Sequence, residues 1–276
     1  MTATAAPALP GALRVGLGRT AVELKAFFRE RDAVIFIFAY PVIMLAIFAT
    51  VFADQSIDMG PAGQLGFETY FLPGMIATGL LLTSFQNLAI SIAVERDEGT
   101  LKRLRGTPMP PTAYFLGKIG SVLVTSLAQM VLLLLAARLL FGIPMPGAAG
   151  WTTFAWVFVL GTASGAVCGV AFSSLPRTGK SASAVATPVV LVLQFISGVF
   201  FSFPSLPGWM QQVAALFPLK WMAQGMRAAF LPDGAKVMEP AGEWELPMVA
   251  LVLAVYLVLG LVLALRTFRW RRHDDG

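Results

Sequence analysis

Histidine and cysteine are almost missing from this 276-residue chain, with one of each, His273 and Cys168. That scarcity excludes a disulfide framework and any Cys/His cluster that could hold a metal. Charge is scarce too. Asp, Glu, Lys and Arg make up 13% of the residues, against about a quarter in soluble domains. The first eleven residues are rich in Ala, Pro and Thr and have no apolar core, so no cleavable signal peptide is expected. The formal charge is +5, but the basic residues stand at the ends of apolar blocks rather than along one stripe. That is not a nucleic-acid footprint, and no nucleic-acid partner is expected.

What fills the chain instead is hydrocarbon. Hydrophobic residues make up 57% of it and come in long blocks, the pattern of a membrane protein. Six spans are predicted, at 33–53, 71–94, 113–140, 151–175, 183–203 and 247–265. Each can cross a hydrocarbon layer of about 30 Å at about 1.5 Å per residue. Before them, residues 11–32 read as an amphipathic helix, with Leu13, Leu17, Ala21, Leu24 and Phe28 on one face. Such a helix can lie in the headgroup region with its apolar side down. Between the fifth and sixth spans, residues 204–232 contain two apolar stretches punctuated by Pro218 and Pro232, each too short to cross. They read as a re-entrant or interfacial hairpin, with Trp209 and Trp221 suited to an interface. The expected fold class is therefore an all-α integral membrane protein, one transmembrane domain over 1–276.

Of the 20 Lys and Arg residues, 16 lie in the N-terminal segment, the second and fourth connections and the C-terminal tail, with Lys118 at the start of the third span counted in the second connection. Positive residues favour the cytoplasm, so both termini are expected inside, as an even number of spans requires.

Chemistry of the usual kinds is absent. The run Ser174-Leu-Pro-Arg-Thr-Gly-Lys-Ser181 matches a phosphate-cradling loop except that Ser174 stands in place of the first glycine. A working loop needs a strand before it and a helix after it, whereas here it joins two spans. A short cytoplasmic turn explains it better, and no nucleotide or other cofactor is expected on this chain. No span places Asp, Glu, Lys or Arg near its centre, which counts against an ion-coupled transporter. Gln86, Asn87, Gln129 and Gln194 are the polar amides left inside the spans. Gln86, Asn87 and Gln194 are candidates for lining a pathway, with interhelical hydrogen bonding the alternative for each. Gly161, Gly165 and Gly169, four apart, predict close helix packing and only weakly favour dimerisation.

The densest charge lies in Glu95-Arg-Asp-Glu-Gly-Thr-Leu-Lys-Arg-Leu-Arg-Gly-Thr-Pro-Met-Pro-Pro111, where 7 of 17 residues ionise. The second span is expected to continue through Glu95, Arg96 and Glu98 and stop at Gly99. Thr100 can then cap a short helix, Leu101, Lys102, Arg103, Leu104 and Arg105, stopped by Gly106 and by Pro108, Pro110 and Pro111, with Thr107 between the glycine and the first proline. Leu101 and Leu104 share one face with a basic rim. Such an element can dock into a groove on a soluble protein. The alternative is a basic anchor for anionic headgroups, which accounts for the Lys and Arg but not for the acidic run or the capped helix.

This run, with Gly117-Lys118 after it, resembles the signature loop of the type-2 ABC exporter permeases. Ser197-Gly-Val-Phe-Phe201, Leu206-Pro207, Pro218-Leu219 and Met226-Arg227 resemble the same family's fifth span and outer hairpin. The similarity covers about residues 11 to 270 in order. It implies a permease that works with a separate cytoplasmic ABC ATPase, on which ATP and Mg would sit. Residues 11–32 would be the connecting helix, and 95–111 would carry the coupling helix. Two permease chains, expected to be a homodimer, would form a pathway lined by the first, second and fifth spans in the plasma (inner) membrane. An apolar bundle without central charge fits a drug, antibiotic or lipid-like cargo. A membrane scaffold without transport activity is the rival reading.

Overall fold

A computed structural model describes residues 11–59 and 63–268; Arg269, Arg271, Arg272 and His273 of the basic tail lie outside them. Helix α1 (Ala12–Arg29) and helix α2 (Arg31–Val51) meet at Glu30, whose ψ of 76° interrupts the helix. A small hairpin follows, β1 (Ser56–Asp58) antiparallel to β2 (Gln64–Gly66) with Ile57 opposite Leu65. The second span is one column in three pieces. These are α3 (Phe67–Leu81), a π-helical segment (Leu82–Asn87) and α4 (Leu88–Asp97). Short α5 (Thr100–Arg105) leads to α6 (Pro111–Phe141), α7 (Ala148–Phe172) and α8 (Gly179–Ile196). Then come α9 (Gly208–Ala215), α10 (Pro218–Phe230) and α11 (Leu246–Thr267).

Six columns are long and apolar enough to cross a membrane: α2, α3 through α4, α6, α7, α8 and α11. The chain is thus an all-α integral membrane protein, its only strands being the two of the hairpin among the described residues. The fifth span ends at Ile196 rather than at 203. Gly198, at φ 71°, turns the chain there, and Val199, Phe200 and Phe203 fold back into the core.

The second span is the central column. In its apolar window 78% of residues are buried, against 22% in the first and last spans. Leu72, Met75, Ile76 and Leu80 of α3 are fully enclosed. The glycine row of α7 packs against this column. A Cβ on Gly169 would stand 2.7 Å from the Phe85 carbonyl oxygen, and one on Gly165 would overlap Ser84 Oγ. A π segment carries an extra residue per turn and bulges its backbone. The glycines leave room for that bulge. Cys168, on the same helix, packs against Gly260 of α11.

The bundle has two distinct ends. At one, Leu101, Tyr114, Val170 and Ala264 share a cluster, so α5, the start of α6, the end of α7 and the end of α11 meet there. At the other lie the β-hairpin, α9 and α10. Helix α10 is buried along almost its whole length, which corrects the expectation for Trp221. Its indole donates to the Ala215 carbonyl at 2.8 Å inside the protein, while Trp209 is 65% exposed. Two basic residues on α10 are buried as well. Arg227 Nε donates to Glu239 Oε1 at 2.5 Å and Nη1 to the Gly198 carbonyl at 3.2 Å. Lys220 donates to Gln224 and lies 4.0 Å from Glu245. Burial pushes its ammonium down to about 8, against the opposing pull of Glu239 and Glu245. Neither residue is a free positive charge at this end, so both weigh little in a count of basic residues.

Removing one member of a buried pair strands the other, at a cost of about 3–5 kcal/mol. Arg227→Met is therefore expected to lower thermal stability sharply in detergent. Adding Glu239→Gln is expected to recover part of the loss; a double variant no more stable than Arg227→Met would contradict the pairing.

Candidate functional site: a buried charge cluster and cavity beside α5

Helix α4 ends at Asp97, and Gly99 turns the chain at φ 73°, a conformation that costs a glycine nothing. Gly99 itself occupies the N-cap of α5, and Thr100 is its first residue rather than its side-chain cap. Pro111 opens α6, where its missing N–H is not needed.

The two leucines of α5 do not face outward. Leu101 is fully buried against Leu88, Ile92, Tyr114 and Val170, and half-buried Leu104 packs on the same cluster. The physical reason is the turn at Gly99, which folds α5 back so that its apolar side covers the end of α4. The outward face is polar, made of Lys102, Arg103, Arg105, Gly106, Thr107 and Pro108, all exposed. Arg103 donates to Thr100 Oγ1 at 3.0 Å, and Thr107 Oγ1 donates to the Leu104 carbonyl at 2.6 Å.

The acidic run in front of α5 is spent on internal ties. Arg96 donates to the Pro176 carbonyl at 2.8 Å, and Asp97 accepts the Gly179 N–H at 3.0 Å. The phosphate-loop look-alike is thus a turn between α7 and α8, whose helix N-terminus is satisfied by a carboxylate and by a Thr178–Ser181 capping box. Glu98 is exposed.

Glu95 joins a buried cluster that the sequence did not reveal. Lys118 Nζ, on α6, donates to Glu95 Oε1 at 2.6 Å and to Glu23 Oε2 of α1 at 2.7 Å. Arg19 pairs with Glu23 at 2.5 Å and lies 3.8 Å from Glu95. Tyr114 OH donates to Glu95 Oε2 at 2.8 Å. Two cations thus meet two carboxylates with the Lys118 side chain only 4% exposed. The local half, Arg19 and Glu23 one helical turn apart, could be read from spacing. Lys118 lies 95 positions from Glu23, and no periodicity links them.

The cluster forms because α1 lies tightly along α6. A Cβ on Gly16 would stand 2.8 Å from Leu116 Cβ, and side chains on Gly117 and Gly120 would overlap Arg19 and Thr20. The buried side of α1 is Gly16, Glu23 and Phe27, so Glu23 points into the protein. Leu13, Leu17 and Phe28 remain exposed, at 67%, 65% and 51%. That apolar face is free to meet hydrocarbon.

A cavity of about 560 Å³ opens beside the cluster, between α1, α2, the second span and α6. Its apolar wall includes Phe27, Phe36, Ile37, Leu82 and Val122, and its polar lining includes the charge cluster. Gln86 and Asn87 of the π segment line it too. Gln86 Nε2 also donates to Thr187 Oγ1 at 3.1 Å, so this amide both lines the cavity and ties α8 to the second span. Gln194 lies elsewhere, buried, accepting from Tyr40 OH at 3.1 Å.

The sequence profile of the ABC-2 type transporter family matches residues 20–231, most of the chain, including the α5 loop and Glu23, Glu95 and Lys118 of the charge cluster. The chain belongs to that family. It is similar to the inner membrane transport permease YadH of Escherichia coli (strain K12), at 25% identity over 192 residues, 69% of this chain and 74% of YadH. It is also similar to the probable multidrug ABC transporter permease YbhR of the same strain, at 23% identity over 62% of this chain and 46% of YbhR. A third similar protein is the linearmycin resistance permease protein LnrN of Bacillus subtilis (strain 168), at 24% identity over 71% of this chain and 53% of LnrN.

In this ABC-2 chain Lys118 pairs with carboxylates on two other helices, and its loss leaves two carboxylates against Arg19 alone. Lys118→Met is expected to destabilise the protein by several kcal/mol, about 3–5, and to expose α1 to protease. Lys118→Met combined with Glu23→Gln is expected to regain part of that. Thermal unfolding with limited proteolysis reads both effects.

Proposed function

We propose that this chain is the permease subunit of an ATP-binding cassette exporter that moves a hydrophobic drug, antibiotic or lipid-like molecule out of the cytoplasm. In this reading ATP and Mg are bound by a separate ATPase subunit, and the permease does no chemistry. The observation that carries it is the α5 element, anchored by Leu101 in the bundle while Lys102, Arg103, Arg105, Thr107 and Pro108 face outward. A short helix with a buried apolar side and a polar free side is suited to receive a soluble partner without flexing. The relatives named for multidrug transport and linearmycin resistance favour this class of cargo over a scaffold role.

The end of the bundle bearing α5 faces the cytoplasm in this reading, with both termini there, in the inner membrane. A second copy of the chain completes the pathway. ATP-driven closure of two ATPase subunits presses on α5 and, through the Glu95 cluster, moves α1 and α6 with it.

Because Leu101 is buried, an acidic residue there would damage the fold as well as docking. The informative variants lie on the outward face. Arg103→Glu with Arg105→Glu is expected to abolish co-purification with the cognate ATPase and ATP-dependent transport while leaving expression and thermal stability intact. Undiminished association and transport would overturn the coupling assignment. For orientation, a tag inserted at Gly242 is expected to be accessible from outside intact cells, and labelling only after lysis would reverse the topology.

A further inference from the structure

The cavity beside α5 has a chemistry of its own. Six ionisable side chains line it: Arg19 and Lys118 are positive, and Glu23, Glu30, Glu95 and Glu98 are negative. Four of them close on one another in the buried cluster. The carboxylates of Glu30 and Glu98 form no ion pair or hydrogen bond among the described residues, and both are exposed. The lining therefore holds two carboxylates in excess of its cations, and both exposed ones lie at its rim. Behind them the wall turns aromatic and aliphatic, with Phe27, Phe36, Ile37 and Leu82. From Glu95 to Leu82 the second span rises about 20 Å at about 1.5 Å per residue, so the cavity runs from the charged end well into the apolar layer. Its volume of about 560 Å³ lies within the roughly 300–1,000 Å³ typical of small-molecule sites.

We propose that this cavity, formed within a single chain, binds a lipophilic organic cation. The apolar body lies against Phe27, Phe36, Ile37 and Leu82, and the positive centre sits at the mouth between Glu30 and Glu98. The buried cluster behind the mouth is already neutral, so it neither repels the cation nor competes for the two rim carboxylates. Gln86 and Asn87 offer hydrogen bonds half-way along the wall, from a π segment of the kind that recurs at functional sites. The proposal rests on the permease reading and names the class of cargo at its entrance.

Two ions of the same shape and opposite charge, tetraphenylphosphonium and tetraphenylborate, test it. Binding of each is measured to the full chain in lipid nanodiscs without any ATPase, relative to empty discs. Saturable binding of the phosphonium and not of the borate is expected. Glu30→Gln and Glu98→Gln are each expected to weaken phosphonium binding about fivefold, the weight of one partly exposed charge pair, and more when combined. Ala26→Trp, an exposed α1 position on the cavity wall, is expected to block it with the fold intact. No saturable phosphonium binding, equal binding of the two ions, or unchanged binding in both the double variant and Ala26→Trp would overturn the proposal. Because no ATPase is present, any of these results would leave the co-purification test of the permease reading standing.

Discussion

Lys118 holds two carboxylates from two other helices in a place where none of the three charges can be abandoned. A buried ion without its partner is far more costly than the pair is favourable, so the geometry of α1, α4 and α6 is fixed as a unit. The opposite end has a counterpart in Arg227 and Glu239, whose side chains are 2% and 1% exposed. Between these two pinned ends the described spans meet through apolar packing and a few neutral hydrogen bonds such as Thr83 to Ser126 at 2.6 Å. Such interhelical bonds average only about 0.6 kcal/mol. Charge pairing is thus concentrated at the ends, and the middle is held mainly by apolar packing.

The second span is where that packing is densest. It is the most buried column, and it is interrupted by a π segment at Leu82–Asn87. Its bulge is held by Gly165 and Gly169 of α7 on one side and reaches the cavity through Gln86 and Asn87 on the other. The glycine row is therefore used inside the chain.

Much of this was legible beforehand, and what escaped has physical causes. The six spans were readable because hydrocarbon imposes long apolar runs, and the stop at Gly99 was readable because glycine alone takes a positive φ at no cost. The inward turn of Leu101 was not, since two leucines on a short helix look the same whether they face a partner or their own bundle. Nor was the cluster at Lys118. Its partners come from α1 and α4, brought together only when Gly16, Gly117 and Gly120 let α1 settle on α6. The same packing buried Glu23. The β-hairpin at 56–66 left no strong signal either, being three residues to a strand.

In the proposed coupling role, the burial of Leu101 also bears on how motion would travel. A docking helix that hangs on a loose loop absorbs displacement in the loop, and little of the stroke reaches the membrane. Here α5 is keyed into the ends of α4, α6, α7 and α11 through one side chain and its neighbours. A displacement of α5 would pass first to the end of α4 and, through the shared cluster, to α6, α7 and α11.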